Sequence, residues 1–345
     1  MADYLPEPYR IKMIEPLKVM TREERDAAVR AVHYNLFGLK SDDVYIDMLT
    51  DSGTGSMSDR QWAALMMGDE SYAGSRSYYH LMEICRDLFG WRFFQPVHQG
   101  RAAEHILFPA LLKAGQVSIS NMHFDTTTGH IALVGAKAVN CIIPEAKDTS
   151  AYYPFKGNMD TSKLVKLIEH YGREQVGMII MTVTCNSAGG QPVSLANIRE
   201  TAAIAHRYAI PFVIDAARFS ENAFFIKERE EGQADRSIAA IVRDMFAEAD
   251  AFTMSAKKDG LVNMGGLIGV RGDEALISKV KSRVVPYEGF ISYGGLAGRD
   301  LGALAVGLRE GVDEAFLRSY IGQTAYLVER LTERGVPCQI PAGGH

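Results

Sequence analysis

The chain has 345 residues, of which 47% are hydrophobic and 23% are charged, and its formal net charge is −5. This globular composition excludes a disordered, collagen-like or disulfide-stapled chain, and the slight acidic excess gives no support to a nucleic-acid partner. The four cysteines are scattered without a CxxC pair, which excludes zinc-ribbon spacing and is typical of reduced cytosolic thiols.

The N-terminal segment is interrupted by Asp3, Pro6, Glu7 and Pro8, so it lacks the continuous apolar stretch of a signal peptide. No run in the chain reaches the roughly 18 apolar residues of a membrane span. We therefore expect a cytoplasmic protein without a membrane partner. Residues 1–50 mix charges and prolines without strand–helix alternation, which predicts an arm or part of a second domain.

From about residue 90 onward, short apolar runs alternate with helical patterns. The runs are rich in Val, Ile and Thr, and several lack polar alternation, as in strands buried on both faces of a mostly parallel sheet. They cover residues 116–120, 138–143, 177–184, 211–215, 251–255 and 266–270. Helical patterns cover residues 102–112, 195–208, 237–246 and 273–282. This alternation predicts an open, doubly wound α/β domain.

The C-terminal part of the chain has a different pattern. Residues 300–334 predict one long helix, and residues 335–340 predict the start of a strand. The sequence then stops at His345 without a closing element, and we expect from this pattern a chain truncated at its C-terminus.

Ligands of open α/β sheets bind beyond the carboxyl ends of the strands, so the residues that follow each predicted strand are candidates for a binding site. Asp215 ends one strand, and Arg218 follows it. A carboxylate there pairs with a protonated ring nitrogen, or it simply caps the next turn. Lys257 and Lys258 follow another buried strand, where desolvation would suit a lysine to Schiff-base formation with an aldehyde. The commoner alternative for such a pair is a solvated loop.

Three other segments add to this pattern. Gln99, Gly100 and Arg101 precede a helix, whose free N–H groups form either an anion site or a plain helix start. Phe124 stacks on a flat ring or belongs to the core. Asn186, before a Gly-Gly turn, suits close approach to a ligand or lies in an ordinary loop. Together these features meet the requirements of pyridoxal phosphate: a phosphate cradle, an aromatic stack, a ring-nitrogen carboxylate and a Schiff-base lysine.

Long motifs run through the chain. They include EPYRIK at 7–12, DMLTDSGT at 47–54, GDESYAGS at 68–75, HQGR, FDTT, NSAGGQPVS, ENAFFIK, SAKKD and YGGLAGRD. On these motifs, the sequence resembles the tryptophanase and tyrosine phenol-lyase group of β-eliminating lyases, within the fold-type I pyridoxal-phosphate enzymes. The resemblance implies a large cofactor-binding domain over residues 51–310, with a mostly parallel seven-stranded sheet between helices. Residues 1–50 would be an arm and part of a small domain, and residues 311–345 the start of an incomplete C-terminal small domain.

The resemblance also implies a role for each matching residue. Lys258 would form the Schiff base and take the α-proton of the substrate. The other implied cofactor contacts are Asp215 at the ring nitrogen, Arg218 and Asn186 at the ring hydroxyl, Phe124 on the ring face, and Gln99, Gly100, Arg101 and Ser255 at the phosphate, with Lys257 nearby.

Further residues match positions that act on the substrate or bind a cation in this family. Tyr72 resembles a tyrosine that enters the site of a neighbouring subunit and assists the leaving group, and Thr50 matches a position near the substrate carboxylate. Glu70 and the backbone carbonyls of Gly53 and Asn263 resemble an activating K⁺ site. The family resemblance implies a homotetramer whose sites are shared between subunits.

Asp125 and Ala256 resemble the tryptophanase branch, because tyrosine phenol-lyases carry Thr and Gly at these positions. A carboxylate at Asp125 would accept a hydrogen bond from the indole N–H. The implied reaction is K⁺-activated β-elimination of L-tryptophan to indole, pyruvate and ammonium. Family members continue past the position of His345, where they carry the arginine that binds the substrate carboxylate. The alternatives are a tyrosine phenol-lyase, another fold-type I enzyme such as an aminotransferase, and a non-catalytic α/β binding protein.

Overall fold

A computed structural model describes residues 7–53 and 55–344. Residues 1–6 of the predicted arm, Thr54 of the 47–54 motif and His345 lie outside the described residues. The strands are β1 (Phe93–Val97), β2 (Val117–Ser120), β3 (Lys137–Asn140), β4 (Val176–Thr182), β5 (Phe212–Asp215), β6 (Ala251–Ser255) and β7 (Gly266–Val270).

The α-helices surround these strands in the order expected for an α/β chain. They are α1 (Arg22–Ala31), α2 (Asp59–Met67), α3 (Arg76–Phe89), α4 (Gly100–Leu111), α5 (Asp125–Leu133), α6 (Thr161–Tyr171), α7 (Leu195–Arg207), α8 (Phe219–Arg229), α9 (Ile238–Ala247), α10 (Glu274–Glu288), α11 (Gly298–Glu310) and α12 (Glu314–Thr332).

The seven strands form one sheet in the order β1-β7-β6-β5-β4-β2-β3. Strands β2 to β6 pair in parallel, whereas β7 is antiparallel to both β6 and β1. The predicted fold class, a mostly parallel seven-stranded sheet between helices, is therefore confirmed. The residue patterns found six of the strands and missed β1, whose Pro96 weakens the strand signal and is tolerated because β1 lies at the sheet edge.

Strand β4 shows why the predicted strands lack polar alternation. All seven of its residues are buried, and its side chains alternate between two separate apolar clusters. Ile179 and Met181 pack into one cluster with residues of α3, α7, α8 and α9. Met178 and Ile180 pack into the other with residues of α4 and α10. Both faces of the sheet are therefore covered by helices, as a parallel sheet requires.

Aromatic rings fill the cluster beside β6. The ring of Phe252 lies 5.2 Å from that of Phe89, 5.1 Å from that of Phe246 and 5.3 Å from that of Trp91, measured between centroids. Gly269 on β7 makes room for this ring, because a Cβ there would lie 2.1 Å from the Phe252 ring. This packing joins the sheet to helices α3 and α9.

Two expectations for the C-terminal part are wrong. Residues 300–334 do not form one helix, because α11 ends before Gly311 and α12 begins after Asp313, whose side chain accepts a hydrogen bond from the Phe316 N–H. A Cβ at Gly311 would lie 2.2 Å from the carbonyl oxygen of Asp259, so the turn packs closely on that backbone. Residues 335–340 form no strand; instead, the Ile340 N–H donates to the Thr149 carbonyl at 2.8 Å.

The described part of the N-terminal segment differs from the rest of the chain. Residues 7–20 form neither helix nor strand, and α1 has no buried residue. The predicted domain boundaries at residues 50 and 310 stay predictions. Across residues 7–53 and 55–344, no helix is both long and apolar enough to cross a membrane.

We predict that Phe252→Ala lowers the free energy of unfolding by about 3–5 kcal/mol, because it leaves a cavity among rings that cannot collapse into it. Urea unfolding followed by circular dichroism measures this loss. The matched control is Phe37→Ala, whose side chain is 80% exposed and which is expected to change stability little. Equal effects of the two substitutions would contradict the assigned core.

Candidate active site

A cleft that is open to solvent lies beyond the carboxyl ends of β4, β5 and β6. The ten residues that were predicted to bind the cofactor all line it: Gln99, Gly100, Arg101, Phe124, Asn186, Asp215, Arg218, Ser255, Lys257 and Lys258. They come from five separate stretches of the chain. The sheet topology is therefore what brings them together, as it does in other open α/β folds.

The start of α4 forms one end of the cleft. Gln99 stands at the N-cap position, and its side chain makes no capping hydrogen bond to the helix. A Cβ at Gly100 would lie 2.7 Å from the Ser255 Cβ, so glycine is what allows the helix start to approach the end of β6. First-turn N–H groups, the positive end of the helix dipole and the Arg101 side chain make this end of the cleft suited to a phosphate.

Lys258 lies in the cleft rather than on a solvated loop. Its Nζ is 3.4 Å from the Ser255 Oγ. Burial lowers the pKa of Lys258, the positive charges of Arg218 and Lys257 lower it further, and the carboxylates of Asp51 and Asp215 partly oppose them. A larger share of this amine is therefore neutral near pH 7 than in a solvated lysine, which suits it to attack an aldehyde.

Asp215 ends strand β5 and faces the same cleft. Its Oδ1 accepts a hydrogen bond from the Ala217 N–H at 3.3 Å. Asp215 therefore also caps the turn that follows β5, which was the alternative role considered for it. Burial raises the pKa of Asp215, against the opposing effects of the Ala217 N–H, Lys258 and Arg218. Because burial disfavours the ionised form of Asp215, a cationic group bound next to it in the cleft would stabilise that ionised form.

Arg218 forms the cleft wall beside Asp215, and its side chain is only 4% exposed. Its Nη2 donates to the Asp51 Oδ2 at 2.5 Å, and its Nε lies 3.9 Å from the Glu221 Oε1. Asp51 was not among the predicted site residues, although the 47–54 motif contains it. No spacing rule connects positions 51 and 218, so only the fold reveals this ion pair.

Three buried carboxyl groups near the cleft were also missed. Burial raises the pKa of Glu104, Glu221 and Asp259 to about 7 each. The Asp259 Oδ2 accepts hydrogen bonds from the Ser220 N–H and hydroxyl. These bonds connect the loop that carries Lys257 and Lys258, here called the lysine loop, to the start of α8. Each had a sequence signal: Glu221 and Asp259 stand in the ENAFFIK and SAKKD motifs, and Glu104 lies one helical turn after Arg101.

The loop that carries Asn186 is held by a buried amide. Asn222 on α8 accepts from the Thr184 N–H at 3.0 Å and the Val193 N–H at 2.8 Å, and its Nδ2 donates to the Val193 carbonyl at 2.9 Å. These bonds hold Thr184 at a φ of 46°, an uncommon value for threonine. Asn222 therefore fixes the loop on which Asn186 reaches the cleft.

Three predicted catalytic residues are not among those that line the cleft. Thr50 is exposed, and its N–H donates to the Asp47 Oδ1 at 3.0 Å. Tyr72 is also exposed, and its ring stacks on Tyr293 with centroids 5.7 Å apart. Asp125 is the exposed first residue of α5. Their assigned roles stay predictions.

Of the three predicted cation ligands, Gly53 and Asn263 are in contact. The Gly53 carbonyl accepts from the Asn263 Nδ2 at 2.8 Å, whereas the Glu70 Oε1 accepts from the Gly298 N–H at 2.8 Å, at the start of α11. Among the residues that the structure describes, no group of three or more His, Cys, Asp or Glu side chains forms a metal-binding cluster. The K⁺ site stays a prediction.

A family model described as "Beta-eliminating lyase" matches residues 47–344. A "Tyrosine phenol-lyase" from Intrasporangium calvum is 54% identical over 341 residues, which cover 99% of this chain and 72% of that protein. A "Tryptophanase" from Rhodobacter capsulatus is 55% identical over 339 residues, which cover 98% of this chain and 74% of that protein.

Solved structures resemble the fold at much lower identity. A putative L-allo-threonine aldolase from Listeria monocytogenes matches with a TM-score of 0.58 at 13% identity, over 81% of this chain and 72% of that one. The crystal structure of a SepCysS–SepCysE N-terminal domain complex matches with a TM-score of 0.58 at 15% identity, over 83% of this chain and 72% of that one. These likenesses support the α/β fold.

We predict that the protein without added cofactor becomes less stable between pH 5 and pH 7.5. Glu104 keeps its proton in the folded state up to about pH 7, whereas the unfolded chain releases it near the ordinary value of 4.5. Because the folded state then binds more protons, the free energy of unfolding falls as the pH rises through this window, by at most about 1.4 kcal/mol per pH unit.

Glu104→Gln removes this titratable group. The free energy of unfolding of the variant should therefore fall less between pH 5 and 7.5 than that of the wild type, with a difference on the order of 2–3 kcal/mol. Urea unfolding at pH 5 and 7.5 measures the decline. The control, Glu169→Gln at an exposed position on α6, should keep the wild-type decline. An unchanged decline in Glu104→Gln would show that Glu104 does not hold the proton.

Proposed function

The chain belongs to the β-eliminating lyase family, and from this premise we propose that its cleft holds pyridoxal phosphate and cleaves the side chain from an aromatic amino acid. The single observation that carries the proposal is the convergence of ten predicted cofactor residues on one cleft. Membership of the family implies that the protein is a lyase. Whether pyridoxal phosphate fits the cleft depends on the side chains that line it.

The donor set of the cleft fits pyridoxal phosphate. The α4 start, with Arg101 and Ser255 beside it, suits the phosphate. Asp215 offers a carboxylate for the ring nitrogen, and Phe124 an apolar ring face. Lys258 supplies an amine of lowered pKa for the aldehyde. Each cofactor group therefore has a partner of the right chemistry.

When bound, pyridoxal phosphate supplies an electron sink for the pair released at the α-carbon of an amino acid. In our proposal, Lys258 removes the α-proton, and its lowered pKa favours the neutral amine that this step needs. Asp215 would hold the ring nitrogen in its protonated form, and Arg218 and Asn186 would lie on the side of the ring hydroxyl. Buried Asp259 keeps the lysine loop in place against α8.

We propose L-tryptophan as the preferred substrate. Its Cβ–indole bond breaks, the indole carbon receives a proton, and the remaining three carbons are hydrolysed to pyruvate and ammonium. Asp125 supports this choice, because its carboxylate can accept a hydrogen bond from the indole N–H. The second candidate is L-tyrosine with phenol as the product, since relatives with both names are more than 50% identical to this chain.

We further propose that the protein self-associates as a homotetramer that binds K⁺. Exposed apolar side chains on α2 support self-association, since Trp62, Met66 and Met67 are each at least half exposed. Tyr72 is exposed as well and so is available to a neighbouring subunit. Oxygen ligands from Glu70, Gly53 and Asn263 suit a hard cation.

We predict that Lys258→Ala abolishes the visible absorbance of bound pyridoxal phosphate and lowers lyase activity at least about 10³-fold, because both the covalent attachment and the proton acceptor are lost. The matched control is the adjacent Lys257→Ala, which should keep the absorbance and bind the cofactor more weakly. Absorption spectra and pyruvate release measure both effects. Retained absorbance in Lys258→Ala would assign the Schiff base to another residue.

We predict that the protein, supplied with pyridoxal phosphate and K⁺, releases indole from tryptophan faster than phenol from tyrosine. Asp125→Thr should lower kcat/KM for tryptophan about 10-fold or more while changing that for tyrosine less, because it removes the acceptor for the indole N–H. The matched control is Thr128→Ser on the same helix. Full tryptophan turnover in Asp125→Thr would remove Asp125 from the specificity argument.

A further inference from the structure

Glu104 is a buried acid that the roles proposed above do not use. It lies on α4, it is 5% exposed, and it lines the cleft. Its Oε1 accepts a hydrogen bond from the Thr127 hydroxyl. Its buried Oε2 has no hydrogen-bond partner among the described residues, and the His130 Nε2 lies 4.0 Å from it.

The contact with Thr127 joins two elements that meet different parts of the cofactor site. Helix α4 begins at the phosphate end of the cleft, whereas α5 begins directly after Phe124, the residue assigned to the ring face. Thr127 is fully buried in the first turn of α5. Gln99 and Phe124 are far apart in sequence, so their spacing depends on how α4 and α5 pack.

We propose that Glu104 is a positioning residue for the cofactor, because its bond to Thr127 holds the first turn of α5, and with it Phe124, at a fixed distance from the phosphate-binding start of α4. This inference rests on the proposed pyridoxal-phosphate function. A rigid ligand that is bound at both its phosphate and its ring needs this spacing, so loosening it weakens binding at both contacts together.

The surroundings of Glu104 favour its uncharged form in this role. Arg101 on its own helix and the hydroxyls of Thr126 and Thr127 favour its ionised form, whereas burial and the nearby Asp215 disfavour it more strongly. His130 on α5 is the remaining titratable neighbour, and burial lowers its pKa. A neutral glutamine of the same shape can still accept the Thr127 hydrogen bond, so charge and positioning can be separated.

The test is a double-mutant cycle read by cofactor affinity. The dissociation constant of pyridoxal phosphate is titrated by visible absorbance for wild type, Glu104→Ala, Thr127→Val and the double variant. Each single variant should weaken binding about tenfold, the size of one buried hydrogen bond, and the double variant little more than either single variant. Thr127→Val keeps the side-chain shape, so it carries the test even if Glu104→Ala does not fold.

Two further measurements distinguish positioning from general destabilisation. Inorganic phosphate, titrated as a competitor, should bind within about twofold of wild type in every variant, because the α4 start is untouched. Glu104→Gln should restore pyridoxal-phosphate affinity to within about threefold of wild type. The surface control Glu169→Ala should change neither constant.

Additive losses in the double variant, equal loss of phosphate affinity, or failure of Glu104→Gln to restore affinity would each overturn the positioning role. Wild-type protein that binds phosphate but develops no visible absorbance with pyridoxal phosphate would instead overturn the proposed function. The two failures are therefore distinct.

Discussion

The close approach of helix α4 to the end of strand β6 is the contact on which the rest of the site depends. It is possible only because Gly100 has no side chain, since a Cβ there would lie 2.7 Å from the Cβ of Ser255. This approach aims the positive end of a helix dipole at the loop that carries Lys258. The positions of phosphate end, ring end and lysine are thus set relative to one another by backbone packing.

Around this contact, the protein buries several ionisable side chains. Arg218 is paired with Asp51 within 4 Å of Glu221, and Glu104, Glu221 and Asp259 keep their protons to about pH 7. Buried carboxyls are costly for stability and are retained where they position other groups. Asp259 bonds the start of α8, and Glu104 bonds the start of α5. Asp259 and Glu104 therefore hold in place the starts of two helices, α8 and α5, that face the cleft.

Sequence patterns predicted six strands to within a few residues. The signal is clearest in β4 and β7, whose residues are all buried, and weaker in the edge strand β3, which has no buried residue. The patterns missed β1, where a proline at the sheet edge hides the strand, and they joined α11 to α12 across Gly311. At that turn, helical periodicity continues in the sequence while the packing of Gly311 against the Asp259 carbonyl ends the helix. Local periodicity carries no information about such a long-range contact.

The candidate site, like the fold, was predictable from the sequence only in part. By itself, the sequence determined the types of group needed for the chemistry. Asp215 and Lys258 each follow a predicted strand, whose ends converge in a parallel sheet, and the Gln99–Arg101 segment precedes a predicted helix. Only the tertiary structure decided which further groups surround them. Asp51 reaches Arg218, and Glu104 reaches Thr127, because distant segments fold onto one another. The tertiary structure also decided that the Glu70 carboxylate accepts a hydrogen bond from the start of α11 and that the Asn263 side chain donates to the Gly53 carbonyl.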